Sequence, residues 1–244
     1  MLVAGKYSLD FLETRQSDDK KSFLWWVTNH LNSVRIHSAA QLEVFKALHR
    51  SLKPEDSIES VVEFFAGSGI GSAIIQGLFK PTVHRAYDLD PQCTDHLRAQ
   101  KNLADRIEVV EADAEVTMLN TPAADLQVCD FFKFTPLRML DWKPQLDAVF
   151  ARNPKAVQIT DTSLAYLHIW KSRYAELLGY PFTNPAEYLT AYSHRFFDDY
   201  GYRVLAAAYG SQFACMMLVP ATEYQPPELL RLNKDDGLHA VQLW

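Results

Sequence analysis

The chain has few cysteines, and its hydrophobic stretches are short. Only three of the 244 residues are cysteine, Cys93, Cys129 and Cys215. Their odd number and wide spacing exclude a disulfide-stapled scaffold and favour reduced thiols. No apolar run approaches the roughly 18 residues of a membrane span, and the first residues lack the basic segment and apolar core of a secretory signal. We therefore expect a cytosolic protein.

An excess of basic residues is also missing. The chain has 24 Lys and Arg against 30 Asp and Glu, a formal net charge of −6. It therefore has no global field that attracts a phosphate backbone, although a local basic patch is still compatible with this balance. Hydrophobic residues make up 48% and charged residues 22%, which is enough apolar material for one substantial core. The composition is compatible with either a small-molecule or a nucleic-acid partner.

Glycine is scarce as well, and its distribution is uneven. Of nine glycines, Gly67, Gly69 and Gly71 follow directly on the apolar run 61–66. A chain that leaves a buried strand and enters a helix so abruptly needs positive φ, and a ligand lying against the backbone needs the absence of Cβ. This pattern predicts a nucleotide-type binding turn. A dinucleotide fingerprint would require its third glycine at the position of Ser72, so a nicotinamide cofactor is the weaker alternative.

The acid that precedes the turn makes the pattern more specific. From Glu63 to Gly71 the chain reads acidic-x-x-x-G-x-G-x-G, which resembles motif I of the class I S-adenosylmethionine (SAM)-dependent methyltransferases. The resemblance implies that SAM is the cofactor. It also implies that the cofactor is held by the turn and its leading acid: Glu63, Phe65, Ala66, Gly67, Gly69 and Gly71.

Two further aspartates follow strand-like runs. Asp88 comes after 82–87, and Asp113 and Ala114 come after 106–111. A carboxylate at the end of the second strand can accept hydrogen bonds from both ribose hydroxyls. The resemblance implies that Asp88 binds the ribose and that Asp113, beside Ala114, binds the adenine amino group.

The remaining pattern predicts a doubly wound, mostly parallel seven-stranded sheet that ends in an antiparallel hairpin. The last two strands are separated by only three residues, which is too short for a parallel crossover. We expect a helical amino-terminal extension over 1–55, a methyltransferase core over 56–220 and a tail over 221–244. The predicted strands are 61–66, 83–87, 106–111, 125–129, 156–160, 202–209 and 213–219.

The segment after the fourth strand is where the acceptor should bind. Asp130 to Lys133 reads Asp-x-x-Lys, which resembles the catechol-type O-methyltransferases. That resemblance implies catalytic roles for Asp130 and Lys133, with Asp130 beside the donor and Lys133 deprotonating a hydroxyl. Asp161 follows the fifth strand, so Mg²⁺ shared by Asp130 and Asp161 is one interpretation. The other interpretation is that the two aspartates cap loops and that Lys133 is a surface charge. We assign no metal ligands.

Other acceptor classes stay open at this point. Phe131 and Phe132 replace both prolines of the motif that amino-methylating DNA enzymes carry here. The aromatic residues of 163–197 predict either an acceptor platform or core packing. His37 and His194 have no metal or triad spacing and receive no role. The sequence therefore predicts a SAM-dependent methyltransferase whose acceptor is unidentified. The alternatives are a metal-dependent O-methyltransferase, a nucleic-acid base methyltransferase and a non-catalytic SAM-binding protein.

Overall fold

The computed structural model describes residues 37–129, 136–164, 167–210, 213–221 and 227–232. Their centre is an eight-stranded sheet with strand order β3-β2-β1-β4-β5-β7-β6-β8. The strands are β1 Ser60–Phe64, β2 Val83–Asp88, β3 Glu108–Glu111, β4 Leu126–Cys129, β5 Val157–Ser163, β6 Tyr202–Tyr209, β7 Phe213–Pro220 and β8 Glu228–Arg231.

Helices cover both faces of this sheet. Pro91 and Pro185 stand in the first turns of their helices after the side-chain caps Asp90 and Asn184, which is the usual start signal. In the described residues the helices are α1 (37–51), α2 Ile70–Leu78, α3 Pro91–Ala99, α4 Ala114–Leu119, α5 Pro136–Asp141, α6 Lys143–Arg152, α7 Leu167–Leu178 and α8 Pro185–Phe197. None of them is both long and apolar enough to cross a membrane.

The predicted doubly wound architecture is confirmed. Strands β1 to β5 pair in parallel, and β7 pairs antiparallel with both β5 and β6. The sheet has one strand more than predicted, because β8 pairs in parallel with β6. This strand lies in 221–244, which we interpreted as a tail. It has only four residues and is largely exposed at the sheet edge, so it lacks the apolar run by which a strand is predicted.

The two larger hydrophobic cores pack on the two faces of the sheet. On one face α1 and α2 cover β1, β4 and β5 through Phe45, Leu48 and Ile75, and α1 lies within the helical extension predicted over 1–55. On the other face α4 to α8 enclose the second core. The aromatic residues of 163–197 that are described there are mostly core residues, namely Tyr174, Phe182, Tyr188, Tyr192, Phe196 and Phe197.

Candidate cofactor site

The glycine turn joins the end of β1 to the start of α2. Phe65 has φ 59°, Gly67 has φ 54° and Gly69 has φ 82°. Three left-handed residues within so short a turn reverse the chain sharply, and Gly67 and Gly69 adopt that conformation without a steric penalty. Phe65 has a Cβ, so its backbone carries strain of about 1–3 kcal/mol. Its ring packs against Trp142 at a centroid distance of 5.6 Å, which holds it in place.

The three glycines have different surroundings. A Cβ on Gly69 would lie 2.3 Å from Cδ2 of Leu97, and one on Gly71 would lie 2.4 Å from Oε1 of Glu63. At Gly67 the nearest atom would be the Phe65 carbonyl oxygen at 3.8 Å. Gly69 and Gly71 are therefore required by packing against α3 and β1. Gly67 is the glycine that has space beside it for a ligand.

Glu63 lies beneath the turn and is fully buried. Ser72, in the first turn of α2, donates its hydroxyl to Glu63 Oε2 at 2.5 Å, and His84 Nε2 lies 3.1 Å from the same oxygen. A buried carboxylate at a helix N-terminus is stabilised by the helix dipole as well as by these donors. The structure thus places Glu63 as a support of the turn, and its direct contact with the cofactor stays a prediction.

A glutamine orients the buried histidine. Gln76 Nε2 lies 3.2 Å from His84 Nδ1 and donates to the Arg106 carbonyl at 3.4 Å. Since an amide NH₂ only donates, His84 Nδ1 accepts and His84 Nε2–H donates to Glu63; this tautomer is assigned from the network. This chain of bonds links β1, α2 and β2, and no local sequence pattern indicates it.

Asp88 ends β2 beside the turn and is half-buried. Its Oδ2 accepts the backbone N–H of Gly67 at 2.8 Å, and its Oδ1 accepts that of Asp90 at 2.9 Å. Each carboxylate oxygen has a second lone pair, so two hydroxyl donors can still bind there. The structure therefore brings Asp88 and Gly67 together, and the binding of a ribose there stays a prediction.

Asp113 and Ala114 lie at the end of the neighbouring strand, because Asp88 pairs with Glu111 in the β2–β3 register. Asp113 Oδ1 caps α4 by accepting the N–H of Glu115 at 2.8 Å, while Ala114 is buried. Two exposed apolar residues near the same edge, Leu89 and Val116, were not predicted as site residues. They are 62% and 61% exposed. Leu89 could have been found from the sequence, because it is a large apolar residue that directly follows the acid at the end of a strand.

The acceptor side is only partly described. Asp130 and Lys133 lie outside the described residues. Asp161 is buried, and its Oδ2 lies 3.0 Å from His37 Nε2. His37, to which we gave no role, is therefore one half of a buried pair. Thr162 points to the opposite face, where its hydroxyl lies 3.2 Å from that of Tyr188. Within the described ranges no three His, Cys, Asp or Glu side chains cluster as metal ligands would.

A small cavity of about 30 Å³ lies inside the second core, under β4 and β5. Gln158 donates to Gln127 at 2.9 Å on its wall, and the rest of the lining is mainly apolar. This volume is large enough to hold water. Its lining includes Phe64 and Cys129, the last residues of β1 and β4.

Solved structures share this architecture. No protein-family model matches the sequence, and no curated protein sequence matches it. The mitomycin 7-O-methyltransferase aligns with a TM-score of 0.51 and 15% identity over 84% of this chain. A SAM-dependent methyltransferase from Clostridium acetobutylicum aligns with a TM-score of 0.50 and 11% identity over 75% of this chain. The chain has the class I methyltransferase fold.

At these identities the similarity establishes the methyltransferase fold alone. The chain spans 59% of the mitomycin enzyme and 90% of the Clostridium protein. In a doubly wound methyltransferase fold, ligands bind at the carboxyl edge of the parallel strands. Gly67, Asp88 and Asp113 all lie on that edge, at the ends of β1, β2 and β3.

Proposed function

We propose that the protein is a SAM-dependent methyltransferase. The observation that carries this proposal is the hydrogen bond between the Gly67 N–H and the Asp88 carboxylate. It joins the turn and the strand-end acid into one preorganised unit, open to a ligand on the Gly67 side. Preorganisation of this kind lowers the cost of binding.

The edge beyond Asp88 suits an adenosyl group. Asp88 retains lone pairs for two ribose hydroxyls. Leu89, directly after β2, and Val116, in α4, offer exposed apolar surface against which a flat adenine ring can pack. Asp113 caps α4 through one oxygen, so its other oxygen serves as the acceptor for the adenine amino group. The proposed ribose and adenine contacts thus follow one another along the edge.

On the acceptor side we propose that Asp130 lies beside the donor methyl and that Lys133 faces the acceptor. We propose no Mg²⁺ there. The second ligand of the shared-metal interpretation, Asp161, is buried and engaged by His37, so a cation would have to displace that pair. Hydroxyl-bearing small molecules and nucleic-acid bases are the acceptor classes to test, and we propose a cytosolic location from the reduced cysteines.

Isothermal titration calorimetry tests the cofactor directly. SAM and S-adenosylhomocysteine are each titrated into the 244-residue chain, and NAD is titrated in parallel. We expect both adenosyl ligands to bind and NAD to give no measurable heat. Tight NAD binding without SAM binding would refute the proposal. Binding of SAM without transfer to any acceptor would instead support the non-catalytic alternative.

A further inference from the structure

Gln100 binds the backbone of the glycine turn. It follows the last residue of α3, and its Nε2 donates to the backbone carbonyl of Ser68 at 2.8 Å, 32 residues earlier in the chain. A carbonyl oxygen only accepts, so the atom that faces it is the NH₂ nitrogen of the amide. Ser68 stands between the two left-handed glycines of the turn, Gly67 and Gly69. Gln100 therefore ties the segment after α3 to the backbone of the proposed cofactor site.

The backbone of Gln100 is itself fixed by three hydrogen bonds. Its N–H donates to the Leu97 carbonyl at 3.2 Å, and its carbonyl accepts the N–H groups of Leu103 at 2.9 Å and of Ala104 at 2.8 Å. Leu97 and Leu103 are buried in one hydrophobic cluster, so this segment is anchored in the protein interior. The Gln100 amide thus reaches Ser68 from a rigid support.

The bond from Gln100 completes the fixation of one peptide group in the turn. The carbonyl of this peptide, that of Ser68, accepts from Gln100, and its N–H, that of Gly69, donates to the Ala66 carbonyl at 2.9 Å. Glycine adopts positive and negative φ with similar ease, so Gly69 by itself has no preference for its observed φ of 82°. The orientation of the peptide is therefore set by its bonding partners.

Packing at Gly69 places the turn directly on the end of α3. A Cβ at Gly69 would lie 2.3 Å from Leu97 Cδ2 and 3.3 Å from Gln100 Nε2. Leu97 and Gln100 are three residues apart and thus lie on the same side of the helix end. Leu97 supplies the apolar contact to this part of the turn, and Gln100 supplies the hydrogen bond.

The first half of the turn is bonded to the end of β2 instead. The N–H of Ala66 donates to the Tyr87 carbonyl at 3.1 Å, and that of Gly67 donates to Asp88 Oδ2 at 2.8 Å. Both of these bonds precede Ser68 in the chain. The bond from Gln100 therefore fixes the half of the turn that β2 does not bind.

We propose that Gln100 is a positioning residue for the cofactor, which acts by keeping the turn in the conformation that leaves the Gly67 side open to an adenosyl ligand. This rests on the proposed SAM-dependent function and deepens it. Without the bond to Ser68, the Ser68–Gly69 peptide samples other orientations, and only a fraction of the molecules is competent to bind. The apparent affinity falls in proportion to that fraction.

Calorimetry of the 244-residue chain with S-adenosylhomocysteine tests the proposal. Gln100→Met and Gln100→Glu both keep the length of the side chain and remove its donor at neutral pH. We expect each to weaken binding about 3- to 10-fold, the change that corresponds to the net contribution of one hydrogen bond. Unaltered affinity in both variants would overturn the proposal, because the packing of the side chain would then account for Gln100.

Arg152→Met is the matched control. Arg152 also donates to a backbone carbonyl in a half-buried setting, that of Thr121 at 3.1 Å. Thr121 precedes β4, so this bond lies toward the amino edge of the sheet, opposite to the glycine turn. We expect Arg152→Met to leave the affinity for S-adenosylhomocysteine unchanged. An equal loss of affinity in Arg152→Met would overturn the proposal, because the loss would then follow from destabilisation in general.

Amide hydrogen exchange in the ligand-free chain, followed by nuclear magnetic resonance, supplies the second readout. We expect the Gly69 N–H to exchange about 3- to 10-fold faster in Gln100→Met than in the wild type. The Val157 N–H, which donates to the Asp125 carbonyl at 2.9 Å, should keep its rate. An unchanged rate at Gly69 would overturn the role of Gln100. If the wild type binds neither SAM nor S-adenosylhomocysteine, the methyltransferase proposal fails, and the Gly69 rate still decides whether Gln100 holds the turn.

Discussion

Gly67 donates its backbone N–H to the side chain of Asp88 across 2.8 Å, and this bond connects two segments 21 residues apart in the sequence. The turn after β1 and the acid after β2 are therefore set relative to each other before any ligand arrives. A substitution at either residue is expected to disturb both halves of the site.

The first prediction concerns Asp88. Asp88→Asn removes the charge that strengthens hydrogen bonds from the ribose hydroxyls, so SAM affinity should fall about 10- to 100-fold, equivalent to about 1.5–3 kcal/mol. Calorimetry measures this directly. Asp95→Asn changes an exposed carboxylate on α3 and should leave the affinity unaltered. Equal affinity in Asp88→Asn and the wild type would remove Asp88 from the ribose site.

The second prediction compares two glycines of α2. In Gly71→Ala the new Cβ would stand 2.4 Å from the buried Glu63 Oε1, so the free energy of unfolding should fall by about 1–3 kcal/mol. Around Gly77 no atom lies within 4 Å of an added Cβ, so Gly77→Ala should raise that free energy by about 0.4–1 kcal/mol. Urea denaturation measures both. Equal stability of the two variants would contradict the packing assigned to Gly71.

The third prediction tests the buried Glu63–His84 pair. His84→Leu leaves the fully buried Glu63 carboxylate with one donor fewer, and we expect a loss of about 3–5 kcal/mol in the free energy of unfolding. His49→Leu, on the exposed side of α1, is the control and should change stability by less than about 0.5 kcal/mol. Thermal unfolding that is unchanged in His84→Leu would show that the pair contributes little.

The fourth prediction concerns metal dependence. Since Asp161 is paired with His37, methyl transfer to catechol should survive treatment with EDTA. Lys133→Met should then leave SAM affinity unchanged and lower turnover by less than the roughly 100-fold expected for loss of a general base. A requirement for Mg²⁺ together with a large loss in Lys133→Met would restore the interpretation in which Asp130 and Asp161 bind a cation and Lys133 is the base.

The features that depend on local residue patterns were predicted from the sequence. The glycine turn, the strand-end aspartates Asp88 and Asp113 and the final hairpin all follow from residue order within short windows, and the structure places them on one edge. Pairings between distant segments were not predictable in this way. His37 meets Asp161 across 124 residues, and His84 meets Glu63 only because β1 and β2 pair in a particular register.

The three glycines of the turn also show what short sequence windows do not predict. Their spacing predicts a ligand-binding turn, yet two of the three are required by neighbours that the spacing does not reveal. Leu97 reaches Gly69 from α3, and Glu63 reaches Gly71 from the strand before the turn. Strand β8 was missed because a four-residue strand at a solvent-exposed edge carries little hydrophobic signal.

Strand β8 also determines what the sheet presents to other molecules. It pairs with Ala206 to Tyr209, the second half of β6, and so occupies the backbone donors and acceptors along that half of the outer edge. Removal of residues from 227 onward would expose these groups on an eight-residue strand. An unpaired strand edge is a template for pairing with a strand of a neighbouring chain. By pairing with β6, β8 therefore opposes self-association of the folded protein.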